Sequence, residues 1–243
     1  DSPDARLATR AELLLDENRF EEARNVLREI DSSRSNQVAA MRLLMRAEQG
    51  LQNWEEVLRL VRLLEKREAF APDAAESLRI AATVETLKRK AVDVETLQAF
   101  WGALPAAERR EPRIAAGAAR EFLTLGACKQ AHRVLTDVLN RQWVPELVLL
   151  FADCQDEKTL ERIEQAERWL KDRPHDASLL LALGKLCAHQ ELWGKAQSYF
   201  EASLSQTASR ATHLELARLF DRIGREPDAN LHFRAATDQA LPA

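Results

Sequence analysis

The chain is 243 residues long, 46% apolar and 30% charged, a balance that builds a full folded core and excludes an extended disordered chain. A net charge of −4 argues against nonspecific binding to nucleic acid or to an anionic membrane surface, since both need a basic footprint. Seven Gly and eight Pro, beside five Trp and a single Tyr, favour helices joined by short loops over a β-rich fold.

Helix hairpins are predicted in chain order. Residues 4–36 place Ala11, Leu14, Ala23 and Leu27 around the polar turn Glu17-Asn18-Arg19-Phe20. Residues 38–72 follow with Met41, Leu44, Trp54 and Val57, and Val57 lies 34 residues after Ala23. The stretch 73–104 breaks step but keeps helical spacing, with Leu78, Ala81 and Ala82, then Val94, Leu97, Phe100 and Trp101. A clear pattern returns at 112–143, where Ala119, Phe122, Ala131 and Leu135 flank the turn Gly126-Ala127-Cys128. Residues 144–173 form a second degenerate pair whose first helix is expected to stop short near Cys154.

The last two units repeat most plainly. Residues 177–209 carry Leu180, Leu183, Gly184, Cys187, Ala196 and Phe200, and residues 210–243 carry Leu216, Ala217, Phe220, Ala229 and Phe233. Gly184 to Ala217 and Ala196 to Ala229 both span 33 residues. Pro105, Pro112, Pro145, Pro174 and Pro227 fall at predicted helix ends or first turns, where a missing N–H costs little. The segment from Leu231 to Ala243 is amphipathic enough to cap the last hairpin or to pack against another copy.

A period of 33 to 34 residues with small residues where two helices approach is the signature of a tetratricopeptide (TPR) solenoid. The expected fold is therefore all-α, a single right-handed α-α superhelix of about seven TPR-like hairpins over residues 1–243. Binding of other proteins is the common use of such a stack.

Four segments in order resemble the HemY family: Phe100-Trp101-Gly102-Ala103-Leu104-Pro105 running on to Pro112, Arg141-Gln142-Trp143-Val144-Pro145, Ala166-Glu167-Arg168-Trp169-Leu170 with Pro174, and Leu192-Trp193-Gly194-Lys195-Ala196 with Tyr199-Phe200. The resemblance implies a TPR-containing bacterial inner-membrane protein associated with late protohaem synthesis, acting as an organiser of enzymes or intermediates. It also implies two transmembrane helices upstream of Asp1 and a TPR domain on the cytoplasmic side. No catalytic residues define that family, so none is carried over. The start at Asp1, without Met or a signal-like stretch, agrees with a piece whose anchor is left out.

A TPR superhelix exposes the first helix of each hairpin on its concave face. The repeat frame puts Arg42, Arg46, Arg113, Arg120, Lys185, His189, Arg218 and Arg222 there, opposed mainly by Glu12, Asp16 and Asp221. Such a groove selects an acidic peptide or a carboxylate-bearing molecule, porphyrin propionates included, because guanidinium groups bind carboxylates through paired hydrogen bonds.

Other chemistry is weaker. Cys187 and His189 are the residue types that ligate haem iron, but Cys187 stands at a core position of its repeat. Cys128 and His132 share i, i+4 spacing, yet two ligands do not make a metal site. The three cysteines lack paired spacing and are expected to be reduced, packed thiols. Trp54 and Trp193 take matching places after interhelix turns and are expected to wedge hairpins together, while Trp101, Trp143 and Trp169 lie near helix ends. No nucleotide-binding, zincin or nucleophile-elbow motif occurs, so no enzymatic activity, no cofactor and no metal are expected. The sequence reading is a protein-binding scaffold. Its alternatives are direct haem or porphyrin carriage and an envelope-assembly scaffold unrelated to haem.

Overall fold

The computed structural model describes residues 3–30 and 37–238, and the ends of the first and last sequence repeats, 31–36 and 239–243, lie outside the described residues. It is all-helical, with fifteen helices and no strand among the described residues. None of these helices is long and apolar enough to cross a membrane. The chain divides into two compact units, residues 1–92 and 93–243.

The first unit holds α1 (Pro3–Asp16), α2 (Phe20–Arg28), α3 (Gln37–Gly50), α4 (Trp54–Lys66) and α5 (Pro72–Lys90). Each helix packs on the next, and α1 also packs on α3. Helix α2 buries Ala23, Val26 and Leu27, an i, i+3, i+4 set that turns one stripe inward. That stripe meets Ala11, Leu14 and Leu15 of α1 and Ala47 of α3, with Leu43 and Leu44 packed against the cluster.

The second unit holds α6 (Val94–Ala103), α7 (Ala106–Arg109), α8 (Pro112–Thr124), α9 (Cys128–Leu139), α10 (Pro145–Ala152), α11 (Thr159–Asp172), α12 (Ala177–His189), α13 (Trp193–Gln206), α14 (Arg210–Arg222) and α15 (Glu226–Asp238). Helices α8 and α12 are buried nearly all round, from Ile114 to Ala119 and from Leu179 to Gly184. Their partners α9 and α11 bury only one face. Helices α8, α10, α12 and α14 form a succession, each packed on the next.

One turn joins both helices in five hairpins. Asn18, Gln52, Gly126, Glu191 and Gly224 take φ between 55° and 75°, each two residues before the second helix begins. The next residue's N–H reaches back five positions: Arg19 to Leu14, Asn53 to Glu48, Ala127 to Phe122 and Arg225 to Phe220 at 2.8 Å, and Leu192 to Cys187 at 2.9 Å. This is the Schellman arrangement, which satisfies carbonyls that the ending helix leaves unpaired. Proline supplies the opposite punctuation: Pro112 and Pro145 open α8 and α10, and Pro105 caps α7.

Small residues set the helix spacing within a hairpin. A methyl group on Gly184 of α12 would stand 2.3 Å from two ring atoms of Phe200 on α13, which is fully buried. Between hairpins, Gly50 of α3 makes the same close approach to the ring of Phe20 on α2, with a virtual methyl 2.4 Å away.

Candidate functional site

Helices α12 and α14 of the second unit bring four of the sequence-derived groove residues together. Lys185 and His189 stand one turn apart near the end of α12, and Arg218 and Arg222 stand one turn apart on α14. A cleft of about 250 Å³ opens between these helices, lined by His189, Trp193, Glu215, Arg218 and Arg222, with Gln155 from the connection after α10.

Two acids, Glu191 and Glu215, and two arginines, Arg218 and Arg222, line this cleft, and Lys185 lies one turn before it on α12. Lys185 is bonded to Asp153, the residue that caps the end of α10. The Gln155 amide nitrogen stands 3.0 Å from His189 Nε2; with the amide donating, the ring proton sits on Nδ1, which is buried without a partner. Burial, and next the Lys185 charge, hold His189 below the usual imidazole range, so it is neutral near pH 7. Arg218 pairs with Glu215 on its own helix at 2.7 Å and stays exposed. Arg222 is exposed and carries no ion pair among the described residues. With Glu191 and Glu215 also lining the cleft, Arg222 is its lining cation without an acid partner among the described residues.

The other predicted groove residues do not line this cleft. Arg120 of α8 pairs with Glu146 of α10, continuing the row of cross-helix ion pairs. Arg113 lies at the start of α8, where its Nε donates to Glu111 at 2.7 Å. Arg42 and Arg46 belong to the first unit: Arg42 donates to the Ala69 carbonyl, and Arg46 stands 3.3 Å from Asp16. The sequence frame found Asp16 but missed Glu146, Asp153 and Glu215 as the opposing acids, and it missed Gln155 and Trp193 as cleft residues. Helix α10 has eight residues against thirteen in α12, so the repeat frame slips there and assigns Asp153 no place.

The expectation of three reduced cysteines is corrected. Cys128 and Cys154 form a disulfide with Cα atoms 5.5 Å apart, and Cys187 alone is a free, fully buried thiol. Helices α9 and α10 run antiparallel across a short connection, which brings the first residue of one beside the end of the other. A spacing of 26 residues in sequence gives no sign of this.

Burial pushes the Cys187 thiol up to about 11, so it offers no thiolate to a metal. His132 does not meet Cys128 at a metal but packs on Phe151, ring centroids 5.0 Å apart. Ligand atoms of Cys128, Cys154 and Asp156 lie within 4.8 Å of one another. Both sulfurs are spent in the bridge, and one Asp156 oxygen accepts from Arg162 at 2.7 Å and from the Lys158 N–H at 2.9 Å.

The tryptophans serve packing and one polar anchor. Trp54 and Trp193 open α4 and α13, both half-buried. Trp143 donates to Asp176 at 2.6 Å, lies under the Arg173 guanidinium at 4.2 Å, and meets Trp169 edge-on at 5.5 Å.

Compared with known proteins, the chain matches no family profile, and no curated protein matches it in sequence.

Proposed function

We propose that this chain is a non-enzymatic binding module, a right-handed superhelical stack of TPR-like hairpins that holds an acidic segment of another protein. One observation carries the reading: α14 presents Arg218 and Arg222 over an open cleft between α12 and α14, and Arg222 has no ion-pair partner among the described residues. Exposed guanidinium groups bind carboxylates in paired geometry and lose little in doing so. Trp193 gives an extended segment apolar area to lie against.

The four HemY-like segments set the wider proposal. In that reading the chain is the TPR domain of a membrane-tethered organiser on the cytoplasmic face of a bacterial inner membrane, holding enzymes of late protohaem synthesis close together. Tethering raises their effective concentration toward the millimolar range for short flexible tethers, and no bond is made or broken. Haem carriage through Cys187 is disfavoured by burial of that thiol.

The test is titration of the purified chain with a short Glu-rich peptide. Replacing Arg218 and Arg222 together with Glu should weaken binding at least about tenfold, equivalent to about 1.4 kcal/mol. Unchanged affinity in that variant would discard the site.

A further inference from the structure

We infer that the Cys128–Cys154 bridge is a thiol–disulfide exchange site that sets how firmly the connection after α10 holds Lys185 and His189, the α12 side chains in and one turn before the cleft. This rests on the binding reading above and names its regulation. The geometry is local and direct. Cys154 lies between Asp153 and Gln155: Asp153 engages Lys185, one turn before His189 on α12, and Gln155 lines the cleft and engages His189. The bridge fastens that same position to the first residue of α9. Asp153 occupies Lys185 as an internal competitor for any incoming carboxylate, and the bridge holds it in place from the adjacent residue.

The connection has a second tether that does not depend on sulfur. Arg162, nearly fully buried on α11, donates to the Cys154 carbonyl at 3.3 Å and to Asp156 at 2.7 Å. Thr159 Oγ1 donates to the Asp156 carbonyl at 2.7 Å. Opening the bridge therefore leaves 154–159 folded against α11 while freeing it from α9. The reduced state is a loosened connection in an intact unit.

The chemistry needs a dithiol reductant. Its thiolate attacks the Cys128 sulfur, which is half-buried, whereas Cys154 is buried. The Cys128–Cys154 bond breaks, and Cys154 leaves as a thiolate beside Arg162 and takes a proton from water. The reductant's second thiolate then attacks the mixed disulfide and releases Cys128, which is protonated in turn. Two electrons and two protons pass to the chain, and the dithiol becomes a disulfide. Oxidation of a dithiol by this bridge and re-formation of the bridge by a disulfide donor are the two directions of one exchange.

The experiment uses the whole purified chain with dithiothreitol as the reductant. Alkylation under denaturing conditions should label one cysteine before reduction and three after it, of the three in the sequence. Amide hydrogen exchange should rise in residues 153–156 on reduction and stay unchanged in α13. Affinity for the Glu-rich peptide should rise about threefold to tenfold, because Lys185 is then released from Asp153 at lower cost. Cys128→Ser, tested without reductant, should match the reduced chain in exchange and affinity and should not respond to dithiothreitol.

Three labelled cysteines under oxidising conditions, or hydrogen exchange at 153–156 that is indifferent to reduction, would overturn the inference. So would uptake of one zinc ion by the reduced chain with both thiols protected. Failure of the peptide to bind either state would instead sink the cleft reading and the coupling with it, while the labelling pattern would still decide the exchange site.

Discussion

Gly184 of α12 and Phe200 of α13 are in such close contact that the glycine's missing side chain is the space the ring occupies. The pair fixes the distance between two helices of a hairpin, and Phe200 is fully buried behind it. Gly184→Ala adds a methyl 2.3 Å from aromatic carbons, and both helices must separate or the ring must leave its rotamer. A loss of about 2 kcal/mol in urea unfolding is expected, with an unchanged slope. Full stability in that variant would mean that the hairpin is far looser than described.

The interhelix turns offer a gain. Glu191 holds φ 56° although it is not glycine, while Gly126 and Gly224 take the matching place in their own hairpins. Left-handed backbone costs an L-residue about 1 kcal/mol, partly offset by the extra freedom glycine has when unfolded. Glu191→Gly should raise stability by about 0.5 kcal/mol, read as a shift of the denaturation midpoint.

Asp176 joins two elements with one carboxylate. One oxygen caps α12 by accepting from the Leu179 N–H at 2.8 Å, and the other accepts from the Trp143 indole at 2.6 Å. Asp176→Ala loses a cap worth about 1 kcal/mol and leaves a half-buried indole N–H without its partner, at about 1 kcal/mol more. The expected outcome is about 2 kcal/mol of destabilisation, with a change in Trp emission as Trp143 is released. Asp176→Asn should recover part of both.

Acidification should weaken the second unit. His213 Nδ1 and His232 Nδ1 face each other at 2.9 Å, an arrangement that holds one proton between two rings. Burial, and next the charge of His213, hold His232 below its usual range. His132 is lowered by burial and then by Arg162, and His189 by burial and then by Lys185. A histidine whose folded pKa is depressed binds protons more readily when unfolded. Its contribution is therefore complete above about 6.5 and is lost as pH falls below that value through the folded pKa. Stability measured by urea unfolding should be flat above neutrality and decline below pH 6.5. His232→Gln should reduce the slope of that decline.

The helical class was legible in composition and in the 33-residue recurrence, because each strong repeat carries small residues where helices meet, as Gly184 and Ala217 do. Proline positions marked helix starts for a reason intrinsic to the residue, so Pro112 and Pro145 open α8 and α10. The disulfide was not legible, since it depends on two antiparallel helices bringing residues 26 apart to one end. The His213 and His232 pair was hidden for the same reason: the two rings come from different helices. The cleft was half legible. Arg218 and Arg222 lie on α14 where the repeat frame put them, but Asp153, the partner of Lys185, comes from the end of α10, whose shortness defeats any fixed frame.

Chemical-shift mapping of the isotope-labelled chain during titration with a Glu-rich peptide tests the central claim most directly. The binding reading predicts shifts concentrated in the amides of α12 and α14 and in the His189 ring, growing weaker as salt is raised. Shifts confined to α13 and α15, or none at all at low salt, would contradict it.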